Sequence, residues 1–361
     1  MIVFFKMIVF FKENAMPANR RPTRLKSRPP VPIRKLTEEM MWSLWRAFAL
    51  VAAIELDVFT RIDAGKTTAR EIAEDAGADE AAMRRLLDAL VALGYLRRVK
   101  DRYALEALAK TCLVRGGDLY MEGAAMIARG LTMGWMQLAE VVRTGKPAVQ
   151  ENSEARARQF FPVLVRSLFP ANYTAARAAA ASLARDRRHP IASILDVAAG
   201  SGAWSIPFAE RFPKARVTVL DFPEVTPIAR EYATAHGVAE RYEFLEGNLR
   251  ETDFGRDCRD LVILGHIVHS EGPEWGRRLI EKSAAALRKG GTLMIAEMVP
   301  NDARTGPAPE MLFSLNMLIH TGEGDVFTMA DYRKWLRAAG LGNVRTLKTA
   351  AAPSPLIFAT K

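Results

Sequence analysis

Residues 193–205 read Ser-Ile-Leu-Asp-Val-Ala-Ala-Gly-Ser-Gly-Ala-Trp-Ser, and few folds accommodate such a run. Ile194 to Val197 is a short apolar stretch of the kind that forms a buried strand. Gly200 and Gly202 follow in a turn with little side-chain bulk, and Ala203 to Phe212 reads as a helix with Pro207 in its first turn. Strand, small-residue turn and helix make a nucleotide-binding βα unit, in which a ligand can approach the backbone closely. A lone Gly-x-Gly would mean little, because turns use glycine anyway. Here a second apolar run, Val217 to Leu220, ends in Asp221, 19 residues beyond Gly202. An acidic side chain at that point can accept ribose hydroxyls.

Two details favour S-adenosylmethionine over a dinucleotide. Asp196 sits at the strand end, where a carboxylate would repel a pyrophosphate but suits the ammonium of a methionine moiety. The third glycine of the dinucleotide fingerprint is replaced by Ser205.

The remaining sequence splits into an odd start, a helical half and an alternating half. The net charge of +10 is concentrated at the start: residues 1–36 hold nine Lys/Arg against Glu13, which leaves only +2 for residues 37–361. Met1–Lys6 is repeated as Met7–Lys12, and an Arg/Pro-rich tract runs from Arg20 to Lys35. Runs of four apolar residues broken by lysine are too short to span a membrane. Residues 1–36 therefore read as a basic, disordered extension, with Met16 or Met40 as other candidate starts. Cys112 and Cys258 stand far apart, which fits a reducing cytoplasm.

From Thr37 the spacing predicts a capped helix to about Phe59, a second over Thr68–Gly77 and a third over Asp79–Tyr95. Leu96–Leu105 reads as a hairpin. That order is a winged helix-turn-helix. The first turn of its third helix, Ala78-Asp-Glu-Ala-Ala82, is acidic and short where base-reading side chains would be wanted, so no nucleic-acid partner is expected. A helical stretch from Leu119 to Val142 carries Met121, Met126, Met133, Trp135 and Met136, and another runs from about Phe160 to Ala184. Core packing is the plain reading of such a stripe; an adaptable apolar pocket or a partner surface is the other. Beyond residue 185 strands and helices alternate as in a doubly wound sheet, with strands at Glu243–Asn248, Asp260–Gly265 and Gly290–Glu297. Helices are expected at Val225–His236, Pro273–Leu287, Met311–Ile319 and Thr328–Ala339, and Val344–Thr349 with Leu356–Thr360 closes the chain as an antiparallel pair.

From Thr37 to its end the chain resembles the small-molecule O-methyltransferases that include the caffeate, isoflavone and acetylserotonin enzymes. The resemblance is carried by Leu195-Asp-Val-Ala-Ala-Gly-Ser-Gly202, Asp221-Phe-Pro-Glu-Val225, Gly247-Asn248, Val268-His269, Gly290-Gly291 with Ala296-Glu297, and Ala338-Ala-Gly340. It implies a helical, winged-helix dimerisation domain over residues 37–185. A Rossmann-like class I methyltransferase domain follows over 186–361, seven-stranded with its last strand pair antiparallel. It implies a homodimer formed through the N-terminal domain and S-adenosylmethionine as cofactor, leaving as S-adenosylhomocysteine. Asp221 would hold the ribose and Asn248 and Leu249 the adenine; Asp196, Ala198, Gly200, Gly202, Phe222 and Gly265 complete the implied cofactor set. His269 would be the general base, oriented by Glu297, which stands at the same edge of the sheet. Met126, Trp135, Phe161, Phe313 and Met317 are candidate walls of the acceptor pocket.

The chain also departs from the family. Ser270-Glu271 replaces the aspartate-tryptophan pair usual after the histidine, Gly265 a common lysine, Asn248 an aspartate, and Ala198 the first motif glycine. A second supporting glutamate has no clean match, although Glu323 and Asp325 lie nearby. His266 and His269 are three apart, but the sequence shows no third ligand, so no metal is expected. The reading is thus a cytoplasmic enzyme, with no membrane span, that methylates a hydroxyl of a small, largely apolar aromatic molecule. C- or N-methylation, or a different reaction with the same cofactor, is the alternative. A winged-helix transcription regulator with a ligand-sensing domain is the rival from another class.

Overall fold

A computed structural model describes residues 33–148, 153–185 and 190–361, so most of the basic extension and the linker residues 186–189 lie outside the described residues. Contacts divide the chain into two units, Met1–Ala47 and Phe48–Lys361. The described part of the first unit is helical: α1 (Ile33–Thr37), a π-helical turn over Glu38–Trp42, and the start of α2 (Ser43–Glu55). Leu36, Met40 and Trp45 are exposed on it.

Within the second unit, α3 (Val58–Asp63), α4 (Ala69–Ala76) and α5 (Glu80–Ala92) are followed by the hairpin β1 (Leu96–Val99) and β2 (Arg102–Leu105). This is the winged-helix order. Helix α4 starts where the sequence places it because Thr68 and Glu71 form a reciprocal capping box, and it stops at Gly77 in the left-handed conformation. Phe59, Ile72, Met83, Leu87, Leu90 and Tyr103 form a separate core beneath the hairpin.

Helix α6 (Ala107–Cys112), α7 (Ala124–Trp135), α8 (Leu138–Thr144) and the 31-residue α9 (Ser153–Leu183) lead to the sheet. Strands β3 (Ser193–Val197), β4 (Arg216–Asp221), β5 (Tyr242–Glu246), β6 (Arg259–Gly265), β7 (Leu287–Ala296), β8 (Gly342–Leu347) and β9 (Leu356–Thr360) lie in the order β5-β4-β3-β6-β7-β9-β8. Pairing is parallel from β5 through β7, while β9 runs antiparallel to both β7 and β8. The seven-stranded fold with an antiparallel end is the one expected. Between the strands run α10 (Ile206–Arg211), α11 (Thr226–Ala235), α12 (Val268–Ala286), α13 (Ala308–His320) and α14 (Met329–Ala338). Each face of the sheet has its own core: Ile194, Phe208, Ile263 and Phe358 on one, Val197, Leu264, Leu279 and Trp335 on the other. Strand order reverses between β3 and β6, and ligands of such sheets bind at the carboxyl ends beside that switch.

Four helices differ from the sequence reading. Thr37 does not cap a helix: it lies inside one that begins at Ile33, and its hydroxyl donates to the Ile33 carbonyl. The segment expected to run to Phe59 breaks at Asp57, whose φ of 51° is left-handed. The stretch Leu119–Val142 is two helices turned at Met136–Gln137, and apolar spacing continues across the turn, so periodicity does not show the break. The helix after β3 begins at Ile206 rather than Ala203, and the one expected from Pro273 begins at Val268 with a non-helical Gly272 between its two parts (φ 72°, ψ 176°).

Candidate active site

The carboxyl edge of the sheet gathers the residues singled out from the sequence. At the end of β3, Asp196 is fully buried, and neither carboxylate oxygen has a hydrogen-bond partner among the described residues. Burial pushes its carboxyl up to about 8; the nearby Ser205 dipoles oppose the rise and the Asp221 charge adds to it. The loop that follows is left-handed at Ala198, Gly200 and Gly202 (φ 52°, 61° and 72°). Gly200 is doubly constrained, since a Cβ there would also lie 3.0 Å from Val165 of α9. At the end of β4, Asp221 accepts from the Gly200 and Phe222 backbone N–H groups, both at 2.7 Å. It thereby ties the glycine loop to the neighbouring strand. Burial raises its carboxyl to about 6, against the pull of those two amides.

Asn248 closes the turn after β5, its side chain accepting from the Arg250 N–H at 2.9 Å. Lys282 of α12 holds that turn from below, donating to the carbonyls of Leu249 (2.6 Å), Arg250 (3.2 Å) and Thr252 (2.9 Å). Gly265 ends β6 with no room for a side chain, because an added Cβ would meet the Trp204 ring at 2.2 Å. The space beside Gly265 is thus filled by the Trp204 ring. Trp204 is buried, and its indole N–H has no partner among the described residues.

His269 lies in the first turn of α12 and is only 8% exposed. Its Nδ1 is 2.6 Å from Oε2 of Glu297, which stands just past the end of β7. Oε1 of the same carboxylate accepts from the backbone N–H of Val268 at 2.7 Å and of His269 at 3.3 Å. Burial alone would raise the Glu297 carboxyl; the charge and hydrogen bond of His269 outweigh it and hold the group below its usual range. Of the two acids flagged nearby, Asp325 receives its place through the backbone, its N–H donating to the His269 carbonyl at 2.9 Å. Its carboxylate pairs with Arg304 instead. Glu271, one of the departures from the family, bonds Arg250 at 2.8 Å and so links the histidine turn to the turn of Asn248.

The candidate pocket walls divide. Phe313 stands edge-on to the His269 ring, 4.9 Å between centroids. Met317 is buried one turn further along α13, and the Trp135 indole donates to Asn316 of the same helix at 3.0 Å. Met126 is 63% exposed and Phe161 37%, both surface positions in the single chain. Sequence reasoning noted His266 only as a neighbour of His269 without a third metal ligand. It is partly exposed, left-handed (φ 59°), and 5.6 Å from the Trp204 ring and 6.2 Å from that of His269. Desolvation lowers its imidazole to about 4. One ligand atom from each of His266, His269 and Glu297 lies within 4.8 Å of the others, so the fold supplies the third ligand type that spacing could not show.

Comparison with known proteins identifies the family. The O-methyltransferase domain matches residues 135–342, and the O-methyltransferase dimerisation domain matches residues 39–115. The chain belongs to the O-methyltransferase family. It is 33% identical to the 3-hydroxy-5-methyl-1-naphthoate 3-O-methyltransferase of Streptomyces sahachiroi, over 88% of this chain and 92% of that one. It is 30% identical to the tetracenomycin polyketide synthesis 8-O-methyl transferase TcmO of Streptomyces glaucescens, over 85% and 91%. Among solved structures, PigF with SAH superposes with a TM-score of 0.76 at 25% identity, covering 92% of this chain and all of that one. No helix among the described residues is long and apolar enough to cross a membrane.

Proposed function

We propose that this O-methyltransferase moves a methyl group from S-adenosylmethionine to a hydroxyl of a small aromatic acceptor, with His269 as general base. The observation that carries the base assignment is the buried His269–Glu297 pair. A carboxylate on Nδ1 keeps the proton there and leaves Nε2 with its lone pair, the tautomer a base needs. Oε1, bonded to two backbone amides, fixes the carboxylate itself. A phenol is a poor nucleophile while protonated, and an imidazole positioned to take its proton typically contributes 10²–10⁴-fold. Phe313, Met317 and Trp135 supply the apolar surroundings that would orient an aromatic ring and exclude water. The names of the two Streptomyces relatives, a hydroxynaphthoate 3-O-methyltransferase and an 8-O-methyl transferase of tetracenomycin polyketide synthesis, support that acceptor class.

The residues at β3 and β4 fit the cofactor. A buried carboxyl without a hydrogen-bond partner costs the fold free energy that an ammonium group would return by stabilising its ionised form, and Asp196 is such a group. The left-handed loop from Ala198 to Gly202 gives close backbone approach; Asp221 keeps lone pairs for ribose hydroxyls. Phe222, Asn248 and Leu249 border the adenine, and Gly265 contributes by admitting Trp204. When bound, the sulfonium supplies an electrophilic methyl group for in-line displacement. Pairing of two chains through residues 37–185 belongs to the same reading, supported by the dimerisation-domain match and by exposed Leu36, Met40, Trp45, Met133 and Met136. So does a cytoplasmic setting, consistent with two unpaired cysteines.

The test is His269→Ala assayed with S-adenosylmethionine and a hydroxynaphthoate. Turnover should fall roughly 10²–10⁴-fold while cofactor affinity, measured by calorimetry, stays within about twofold. A variant that methylates a neutral phenol at near wild-type rate would make the histidine structural.

A further inference from the structure

The β6–β7 edge carries two imidazoles and a carboxylate, yet the proposed reaction uses only one imidazole and its orienting acid. His266 has no part in it. We infer that His266, His269 and Glu297 form a site for a divalent transition-metal ion of the zinc class, and that such an ion switches the enzyme off by occupying the base. The inhibitory half rests on the base assignment above; the binding half does not.

Four structural facts support the site. The donor set of two imidazole nitrogens and one carboxylate oxygen is the kind that borderline metal ions prefer over magnesium or calcium. The atoms already lie within 4.8 Å of one another. A tetrahedral ion with bonds of about 2.0–2.2 Å requires donors roughly 3.3–3.6 Å apart, so side-chain adjustment of about 1 Å suffices. The set is also held from behind. Glu297 is fixed by the Val268 and His269 amides, and the His266 N–H donates to the Ala296 carbonyl at 2.8 Å on the adjoining strand. Its left-handed backbone is a conformation that a non-glycine residue holds only when its surroundings impose it. Finally, His269 and Glu297 are buried whereas His266 is partly exposed. Three protein ligands leave a fourth position of a tetrahedral ion for water.

The atom balance is simple. The ion takes the Nδ1 lone pair of His269 and Oε2 of Glu297, and the proton those two atoms shared moves through solvent to Nε2, so the imidazole stays neutral and no proton is lost. An imidazole protonated on Nε2, with Nδ1 and its orienting carboxylate engaged by metal, cannot accept a proton from the acceptor hydroxyl.

Titration of the full-length protein with Co²⁺, followed by visible absorption, reads binding without reference to activity. Ligand-field bands that Zn²⁺ and a chelator both abolish are expected for wild type. In His266→Gln, affinity should drop about tenfold or more, since losing even an outer-shell partner of a metal ligand costs that much. In parallel, Zn²⁺ should inhibit wild-type methyl transfer reversibly, and His266→Gln should keep its activity and lose the inhibition. Absence of Co²⁺ bands in wild type overturns the site, whatever the variant does. So do bands of equal affinity in wild type and a folded His266→Gln. Bands that depend on His266 with unchanged methyl transfer would uphold the site and overturn its inhibitory role, and with it the role of His269 as base.

Discussion

Glu297 and Asp196 are both buried carboxylates at the carboxyl edge of one sheet, and the chain treats them in opposite ways. Glu297 accepts from two backbone amides and bonds an imidazole, and its carboxyl is held low. Asp196 has no hydrogen-bond partner among the described residues, its carboxyl is raised to about 8, and the loop beyond it is left-handed at an alanine. One end of the site is finished by the protein's own atoms. The other is left unsatisfied and strained in the ligand-free chain. On the function proposed above, such an arrangement suits a resident base working beside a ligand that enters and leaves: the base end would be preorganised, and the cofactor end would gain its missing bonds on binding.

The sharpest way to break this contrast is to unfinish the finished end. Glu297→Gln keeps an oxygen for the Val268 and His269 amides but loses the charge on Nδ1. Turnover should fall on the order of 10²-fold, and cofactor affinity should hold within about twofold. Steady-state and calorimetric measurements on the same preparation check both halves. A matching loss of affinity would show that the two ends are not separable.

The unfinished end is tested through protons. An Asp196 carboxyl raised from 3.8 to about 8 binds its proton more tightly folded than unfolded. Above pH about 4 the unfolded chain therefore holds fewer protons, and ligand-free stability from this group falls as pH rises toward 8. Asp221, raised to about 6, acts with the same sign over a narrower window. Thermal melts of Asp196→Asn should be flatter between pH 5 and 8 than those of wild type. An ammonium placed beside Asp196 favours the ionised form, so cofactor binding at pH 7 should expel a proton. Titrations in buffers of different ionisation enthalpy should show that release in wild type and none in Asp196→Asn, whose affinity should be about ten- to a hundredfold weaker. Unchanged proton release in the variant would remove Asp196 from the ammonium.

How much of this was legible in the sequence follows the range of the interactions. The βα unit, the strand order class and the antiparallel end were readable because apolar runs and glycine turns are local. Thr68 and Glu71 were readable as a cap for the same reason. The break at Asp57 was not, since a single left-handed residue leaves apolar spacing intact. The site shows the same division. His269 and Glu297 could be placed at neighbouring strand ends, but their bond spans 28 residues and depends on strand register. His266 read as a bystander because its third partner, Glu297, arrives only through folding. Likewise Ser270-Glu271 looked like a lost motif, whereas Glu271 has its own task in holding Arg250.

The smallest effect concerns strain at the cofactor end. Ala198 stands where the resemblance to the family leads one to expect glycine, and the structure shows why glycine would suit it: φ is 52°, a region that costs an alanine about 1–2 kcal/mol. Glycine would relieve that strain but lose about 0.4–1 kcal/mol through the freer unfolded chain. Ala198→Gly should therefore stabilise the ligand-free protein by roughly 0.5–1 kcal/mol, a rise of a few degrees at most in the melting temperature. Gly200→Ala should go the other way and further, because φ is again positive and Val165 occupies the space a methyl needs. Melts of the two variants, with and without S-adenosylhomocysteine, separate strain from ligand contact. If Ala198→Gly melts lower than wild type, the alanine methyl contributes packing that exceeds its backbone strain. The loop would then be finished by the protein after all, and the contrast with Glu297 would shrink to Asp196 alone.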